Sequence, residues 1–509
     1  MHTVRNYLPG GSSGLQRAGA ACRFPRVTLS GPPWPVVRPE RTQHCGAVPT
    51  ELAPGRPAVP HDSRARWTLA AACFGFLMVG LDATIVNVAL PTLGRQLGAG
   101  LAQLQWVVDG YTLMFAALQL IGGSLSDRLG ARRAFVVGLS VFVLASLGCG
   151  VAVSPEMLIA ARFVQGIGAA LQLPSSLAMI RHAYPDAERR TKALGLWAAA
   201  GGGAVAAGPV LGGVLLIALG WRSLFLVNLV IGLGGLLTAA MAAAAPGGGA
   251  AGKRRLDLPG QVAVMLSLAG LTFGLIEGGT AGWTRPPVVA AVAVAVVCGA
   301  FFVWWERRVP DPMLPMGLFS RPAFSSASVA GFVLNFAYYG IVFLLSLFLQ
   351  NERGDSALTT GLVFLPMSVA TTLSNVVGGR LSGRFGTRLP MVGGQFVFAL
   401  GLLGLLLAGP GAPDWVIWLV TIPVGLGCGV AVPALTAAVL EVVEPAHAGV
   451  ASAELNTARQ MGGAVGVALF GTLIAGAFVP GLRLSLLIAA FALLASALVT
   501  AYWGREPRR

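Results

Sequence analysis

Read for polarity, the chain is mostly long apolar runs separated by short polar breaks. Fourteen such runs are long enough to cross a bilayer as helices, each needing about 20 apolar residues. They fall at 67–90, 104–125, 134–153, 156–180, 191–214, 222–243, 257–277, 286–305, 323–349, 358–381, 390–409, 414–437, 449–475 and 481–503. In hydrocarbon every backbone amide must be satisfied internally, so the runs are expected to be helical. The pattern therefore predicts an all-α integral membrane protein with fourteen transmembrane helices.

The polar breaks are not alike. Those after even-numbered runs collect cations: Arg128, Arg132 and Arg133; Arg181, Arg189, Arg190 and Lys192; Lys253, Arg254 and Arg255; Arg307, Arg308 and Arg321; Arg384 and Arg388. Arg505, Arg508 and Arg509 close the chain. The other breaks carry only Arg95, Arg222, Arg285, Arg353 and Arg483. Cytoplasmic loops accumulate Arg and Lys, so both termini are expected in the cytoplasm, on a cytoplasmic-membrane protein. The break holding Glu441, Glu444 and His447 departs from the bias without reversing it.

The break after run 2 has an echo. Gly123, Asp127, Arg128, Gly130 and Arg132 recur after run 10 as Gly379, Gly383, Arg384, Gly386 and Arg388, with Gly383 in place of the acid and Leu389 opposite Arg133. Aligning the two pairs runs 1–6 with runs 9–14. The expected organisation is a half at 67–243, two inserted helices at 257–305 and a half at 323–503, followed by a tail at 504–509. Two related halves imply a substrate site near the midplane between them. Residues 1–65, rich in Pro, Gly, Ser and Arg, read as a disordered basic tail or a start placed too early.

Composition agrees: 55% of residues are hydrophobic and 11% charged, with 69 glycines. Small residues let membrane helices approach closely. The net charge of +15 is assigned to loops rather than to nucleic-acid binding. Cys73, Cys149, Cys298 and Cys428 lie in apolar runs, Cys22 and Cys45 in the tail, with no spacing for a disulfide framework or zinc.

Candidate chemistry lies where polar residues interrupt hydrocarbon. Asp82 sits in run 1, where a charge costs about 2.5–3.5 kcal/mol on insertion scales, so it is a functional candidate. Arg162 in run 4 should lie roughly 10 Å deep at 1.5 Å per residue. Asp82 lies about 22 Å from the opposite end of run 1, at a matching depth, so the two can meet. A static pair holding the bundle together is the alternative to a proton-coupling pair. In run 13, Asn456, Arg459, Gln460 and Gly463 share one helix face, with Glu454 off it nearer the cytoplasmic end, where a snorkelling or loop-adjacent acid is the alternative to a functional one. Asn87, Asp109, Tyr111, Gln165, Asn335 and Tyr338 complete the candidate cavity lining, although Asp109 can also be interfacial. Gly123 and Gly130 are expected to permit a tight turn, with Asp127 capping the next helix or pairing with a cation. The alternative is an ordinary cationic loop. Gly208, Pro209, Gly212 and Gly213 in run 5 should shape a close helix contact; a phosphate loop is disfavoured because no Lys-Ser/Thr follows.

Together these segments resemble the major facilitator superfamily, and more narrowly its fourteen-span drug:proton antiporters (the EmrB/QacA type). Gly123–Arg133 resembles the loop after span 2. Leu81–Pro91 resembles the first-span motif, Arg162-x-x-Gln165-Gly166 the span-4 motif and Gly208-Pro209-x-x-Gly212-Gly213 the span-5 antiporter motif. Ala204, Asp109 and Glu454 depart from the family pattern. The resemblance implies two six-helix halves plus two central helices, and a proton-driven exporter of amphipathic small molecules such as drugs or antibiotics. It implies Asp82 and Arg162 for coupling and the Gly123–Arg133 loop as a cytoplasmic latch. The partners expected are substrate, protons and lipid, acting on a monomer, with no cofactor, metal, catalytic residue or nucleic acid. A narrow metabolite exporter, or a non-transporting receptor on the same fold, is the alternative.

Overall fold

The computed structural model describes residues 62–242, 257–310, 312–314, 316–443 and 448–503. Outside them lie most of the N-terminal tail with Cys22 and Cys45, the cations Lys253, Arg254 and Arg255, Glu444 and His447, and the C-terminal tail with its arginines.

Among the described residues there are fourteen long helices. The first half holds α1 (Asp62–Ile85, continued by a 3-10 turn Val86–Ala89 and by Leu90–Leu97), α2 (Leu101–Leu129) and α3 (Ala131–Gly150). It ends with α4 (Pro155–Ala183), α5 (Ala187–Leu219) and α6 (Ser223–Met241). Then come α7 (Leu258–Ala281) and α8 (Pro286–Glu306). The last six are α9 (Pro322–Leu347, ending in a π turn Phe348–Glu352), α10 (Ala357–Phe385), α11 (Arg388–Leu405), α12 (Asp414–Glu441), α13 (Ala448–Ile474) and α14 (Phe478–Trp503). Thirteen are long and apolar enough to cross a membrane; α13, which carries the polar face, is the remaining one.

Local chemistry sets the helix starts. Ser154, Asp186, Asp257 and Ser356 each accept a backbone N–H from the first turn of α4, α5, α7 and α10. Pro155, Pro286 and Pro322 occupy first helical positions, where no amide donor is needed.

The packing repeats. In the first half α2 and α3 pack on α4, α1 on α5 and α6, and α3 on α6. In the second half α10 and α11 pack on α12, α9 on α13 and α14, and α11 on α14. The halves meet along two seams that the repeat exchanges, α5 with α10 and α2 with α13. Helix α7 lies against α2 and α13, covering one seam. The outward surfaces are apolar: Leu144, Val230, Leu373 and Phe491 are each 65% exposed or more, as suits contact with lipid chains.

The loops between α2 and α3 and between α10 and α11 differ in detail from the sequence expectation. Gly123 lies inside helix α2 with no neighbouring atom where a Cβ would project. Its neighbour Gly122 makes the close approach, against the Ala170 carbonyl of α4. The turn is made by Gly130 alone, at φ +84°, and by Gly386 at φ +78° in the echo. Asp127 is exposed and does not cap α3, whose N-cap is Gly130. Arg132 reaches the end of α6, donating to the Ala239 and Ala240 carbonyls at 2.8 Å each. Arg388 does the same to the Ala501 carbonyl of α14. Cations on the last carbonyls of a helix complement its negative end. Arg128 and Arg133 are exposed.

Candidate functional site

The centre of the first half is a buried ionic cluster. The Asp82 carboxylate of α1 accepts from the Arg162 guanidinium of α4 through Oδ2. Its Oδ1 accepts from Gln165 Nε2 at 2.9 Å and from Asn228 Nδ2 at 3.0 Å. Arg162 Nε donates to the Val107 carbonyl of α2 at 2.8 Å, and Nη1 donates to Gln165 Oε1 at 2.7 Å. The guanidinium lies 4.5 Å over the Tyr111 ring. Ser146 of α3 accepts from Gln165 at 2.8 Å and from Asn228 at 3.3 Å. Asp82, Arg162, Gln165, Asn228 and Ser146 are all buried.

Five helices, α1 to α4 and α6, thus contribute to one network. Burying a carboxylate and a guanidinium costs several kcal/mol per ion, and the pair repays it only with good geometry and further hydrogen bonds. Both conditions are met here. The arrangement sets one carboxylate against a guanidinium and two side-chain amide donors.

The candidates singled out from sequence divide into two groups. Tyr111 and Gln165 belong to the Asp82 cluster. Asn87 sits in the 3-10 turn of α1, its amide donating to the Ala83 carbonyl at 3.3 Å and the Thr84 carbonyl at 3.4 Å. Asp109 is fully buried within the protein, with neither carboxylate oxygen hydrogen-bonded. On the other half, Asn456, Arg459 and Gln460 of α13 are partly exposed. Arg459 Nε donates to Asn335 Oδ1 of α9 at 3.4 Å, and Asn335 and Tyr338 are nearly covered. Glu454 does not snorkel: it is 5% exposed and accepts from Ser328 of α9 at 2.9 Å. Each half thus carries one buried acid bonded to a neighbouring helix, Asp82 in the first and Glu454 in the second.

The glycines of α5 create two contacts. A Cβ on Gly208 would meet Thr84 Oγ1 at 2.0 Å, and one on Gly212 the Ile85 carbonyl at 3.0 Å, so both bring α5 against α1. A Cβ on Gly213 would lie 2.8 Å from the Ala357 carbonyl of α10, and one on Gly361 of α10 would lie 2.5 Å from the Pro209 carbonyl. This stretch therefore packs α5 on its own half and on the other half at once. Gly202 and Gly203 have no such neighbour.

Sequence reasoning missed Asn228 and Ser146. Asn228 had a signal, as the lone amide within the apolar helix α6. Ser146 had none, since serine is common in packed membrane helices.

This fold and cluster define a membrane transporter class, and comparison with known proteins identifies it. A family model described as Major Facilitator Superfamily matches residues 72–467. The chain belongs to that superfamily. Similar curated proteins include a methylenomycin A resistance protein of Streptomyces coelicolor, 39% identical over 84% of this chain and 89% of the relative. The methylenomycin A resistance protein of Bacillus subtilis is 39% identical over 79% of this chain and 85% of its own length. The multidrug resistance protein Stp of Mycobacterium tuberculosis is 37% identical over 80% of this chain and 75% of its own length. Among solved structures, a bacterial homologue of the human lysosomal transporter Spinster, in an inward-facing and unoccupied conformation, superposes with a TM-score of 0.62. It shares 16% identity and covers 87% of this chain and 98% of its own, a likeness of fold alone.

Proposed function

We propose that the chain is a proton-coupled antiporter that exports amphipathic small molecules, of the class of drugs or antibiotics, across the cytoplasmic membrane. The observation that carries the reading is the Asp82 carboxylate, buried between Arg162, Gln165 and Asn228. An intramembrane acid held by a network from five helices is a poised proton site. Protonation of Asp82 would free Arg162 and Gln165 and let α1 and α4 shift together. The partly exposed face of Asn456, Arg459 and Gln460 would meet the substrate from the second half. Two six-helix halves around a central site support alternating access by rocking.

The cation-rich loops support an orientation with both termini in the cytoplasm. There the Gly123–Arg133 segment, the end of α2 with the Gly130 turn and the start of α3, would work as the latch, with Arg132 tying α3 to the end of α6. The proton gradient would supply the drive without a cofactor, and the monomer would be the working unit. The relatives' names favour an antibiotic as cargo, and two of them name a single compound, so a narrow exporter is the second reading.

The test is proton movement in energised everted vesicles on adding lipophilic cations, neutral antibiotics or anions, for the unmodified chain and Asp82→Asn. Substrate-evoked proton movement that vanishes in Asp82→Asn is the expected result. Movement that survives the substitution would transfer the role to Asp109 or Glu454. Response to a single compound class would favour the narrow exporter.

A further inference from the structure

The first helix is broken where the two halves touch. Pro91 has no amide proton, so the Asn87 carbonyl four residues earlier loses its helical partner. The chain responds with the 3-10 turn Val86–Ala89, in which the Leu90 N–H turns back to the Asn87 carbonyl. Such a turn leaves carbonyls open to a second donor. The second donors come from the other half. Ser346 Oγ of α9 donates to the Asn87 carbonyl at 2.7 Å, and Gln350 Nε2 donates to the Val88 carbonyl at 2.9 Å. Gln350 belongs to the π turn Phe348–Glu352, where α9 too departs from regular geometry. Ser346 and Gln350 are one helical turn apart and buried.

The α2–α13 seam has a matching device. Gln105 Nε2 of α2 donates to the Val467 carbonyl at 3.3 Å and the Ala468 carbonyl at 2.9 Å of α13. All these bonds lie at the end of the molecule away from the cation-rich loops, and all join a side chain of one half to the backbone of the other. Backbone carbonyls cannot move without their helix, so these bonds report directly on the relative tilt of the halves.

We propose that Ser346, Gln350 and Gln105 are the closing residues of this end, and that Pro91 in α1 opens the Asn87 carbonyl that Ser346 holds. The turn they grip begins one helical turn after Asp82, so displacement of α1 by the Asp82 cluster is passed straight to the closure. These are positioning residues: they set which end is open without touching cargo. The consequence for transport rests on the export reading above; the closure itself does not.

The experiment measures the distance between spin labels at Val153→Cys and Glu352→Cys, two exposed positions at this end on opposite halves. It is done by pulsed electron paramagnetic resonance on the full chain in lipid nanodiscs, with singly labelled proteins correcting for native thiols. The unmodified chain should show mainly the short distance. Ser346→Ala combined with Gln350→Met should raise the ratio of long to short distances by roughly tenfold or more, as expected for losing two buried hydrogen bonds. Ser346→Thr keeps the hydroxyl and should leave the distribution unchanged. Pro91→Ala restores the missing N–H, competes with Ser346 and should shift the ratio the same way by a smaller factor. Should the double variant fail to fold, Ser346→Ala and Pro91→Ala alone carry the test. Unchanged distances in folded Ser346→Ala and Pro91→Ala proteins would overturn the proposal. Failure of substrate-evoked proton movement in the unmodified chain would overturn the export reading and leave these distances to be judged separately.

Discussion

At the level of single residues, Arg162 has the most to lose. It is bound at once by the Asp82 carboxylate, the Val107 carbonyl and the Gln165 amide, with Tyr111 beneath it. Arg162→Ala strips the pairing from a buried carboxylate and is expected to destabilise by about 3–5 kcal/mol. Arg162→Lys should recover little, because an ammonium cannot reach three acceptors in the planar fork geometry that guanidinium provides. Asn228→Ala removes one donor of three from Asp82 and should cost about 1–3 kcal/mol. Thermal unfolding in one detergent would rank the three; Arg162→Lys matching the unmodified chain would refute the shared-network account. The sequence showed part of this cluster. Depth counting set Asp82 and Arg162 at one level, and Gln165 one turn from Arg162 followed from helix geometry. It could not show that α3 and α6 close the site, because membrane depth says nothing about which helices are neighbours. The burial of Asp109 and Glu454 was not legible for a related reason: distance from a helix end measures depth, whereas burial depends on the neighbours.

Between helices, close approach is decided by single glycines, and the motif letters do not say which. Gly122 and Gly123 are adjacent, yet a Cβ on the first would lie 2.2 Å from the Ala170 carbonyl and on the second would touch nothing. Gly122→Ala should therefore force α2 from α4 and cost about 1–3 kcal/mol, while Gly123→Ala in the helix interior should be neutral or stabilising by up to about 1 kcal/mol. The same contrast holds in α5. Gly208→Ala must displace Thr84, whose hydroxyl donates to the Val205 carbonyl at 3.1 Å, whereas Gly203→Ala meets open space. Melting temperatures of these four variants, each measured with membrane expression, would check the pairs; equal effects within either pair would count against the packing. Number, length and order of the helices were legible because hydrocarbon demands long apolar runs. The glycine contacts were not, since a glycine facing lipid and one facing a helix are written alike.

At the scale of the whole molecule, α7 is bonded to both halves. Helix α7 is fastened near its start to the first half, where Gln261 Nε2 donates to the Ala117 carbonyl at 2.5 Å. Near its other end it is fastened to the second half, where Thr472 Oγ1 of α13 donates to the Leu275 carbonyl at 2.6 Å. Gly279 permits that approach, since a Cβ there would meet Thr472 Cγ2 at 2.4 Å. A rigid helix tied to one body at one end and to another body at the other cannot follow both when they tilt. On the proposed rocking of the halves, one attachment would slip in each cycle. Covalent ties make this testable. A thiol cross-linker joining Gln261→Cys to Ala117→Cys should leave export of a transported compound largely intact, because α7 can then travel with the first half. A cross-link joining Leu275→Cys to Thr472→Cys should likewise be tolerated, with α7 travelling with the second half. Both cross-links together should abolish export while leaving substrate binding in place, and reduction should restore it. Export that persists with both ties closed would mean that α7 bends or that the halves do not tilt across this seam. The inserted pair α7–α8 would then be a cover for the α2–α13 seam and not a strap between the moving parts.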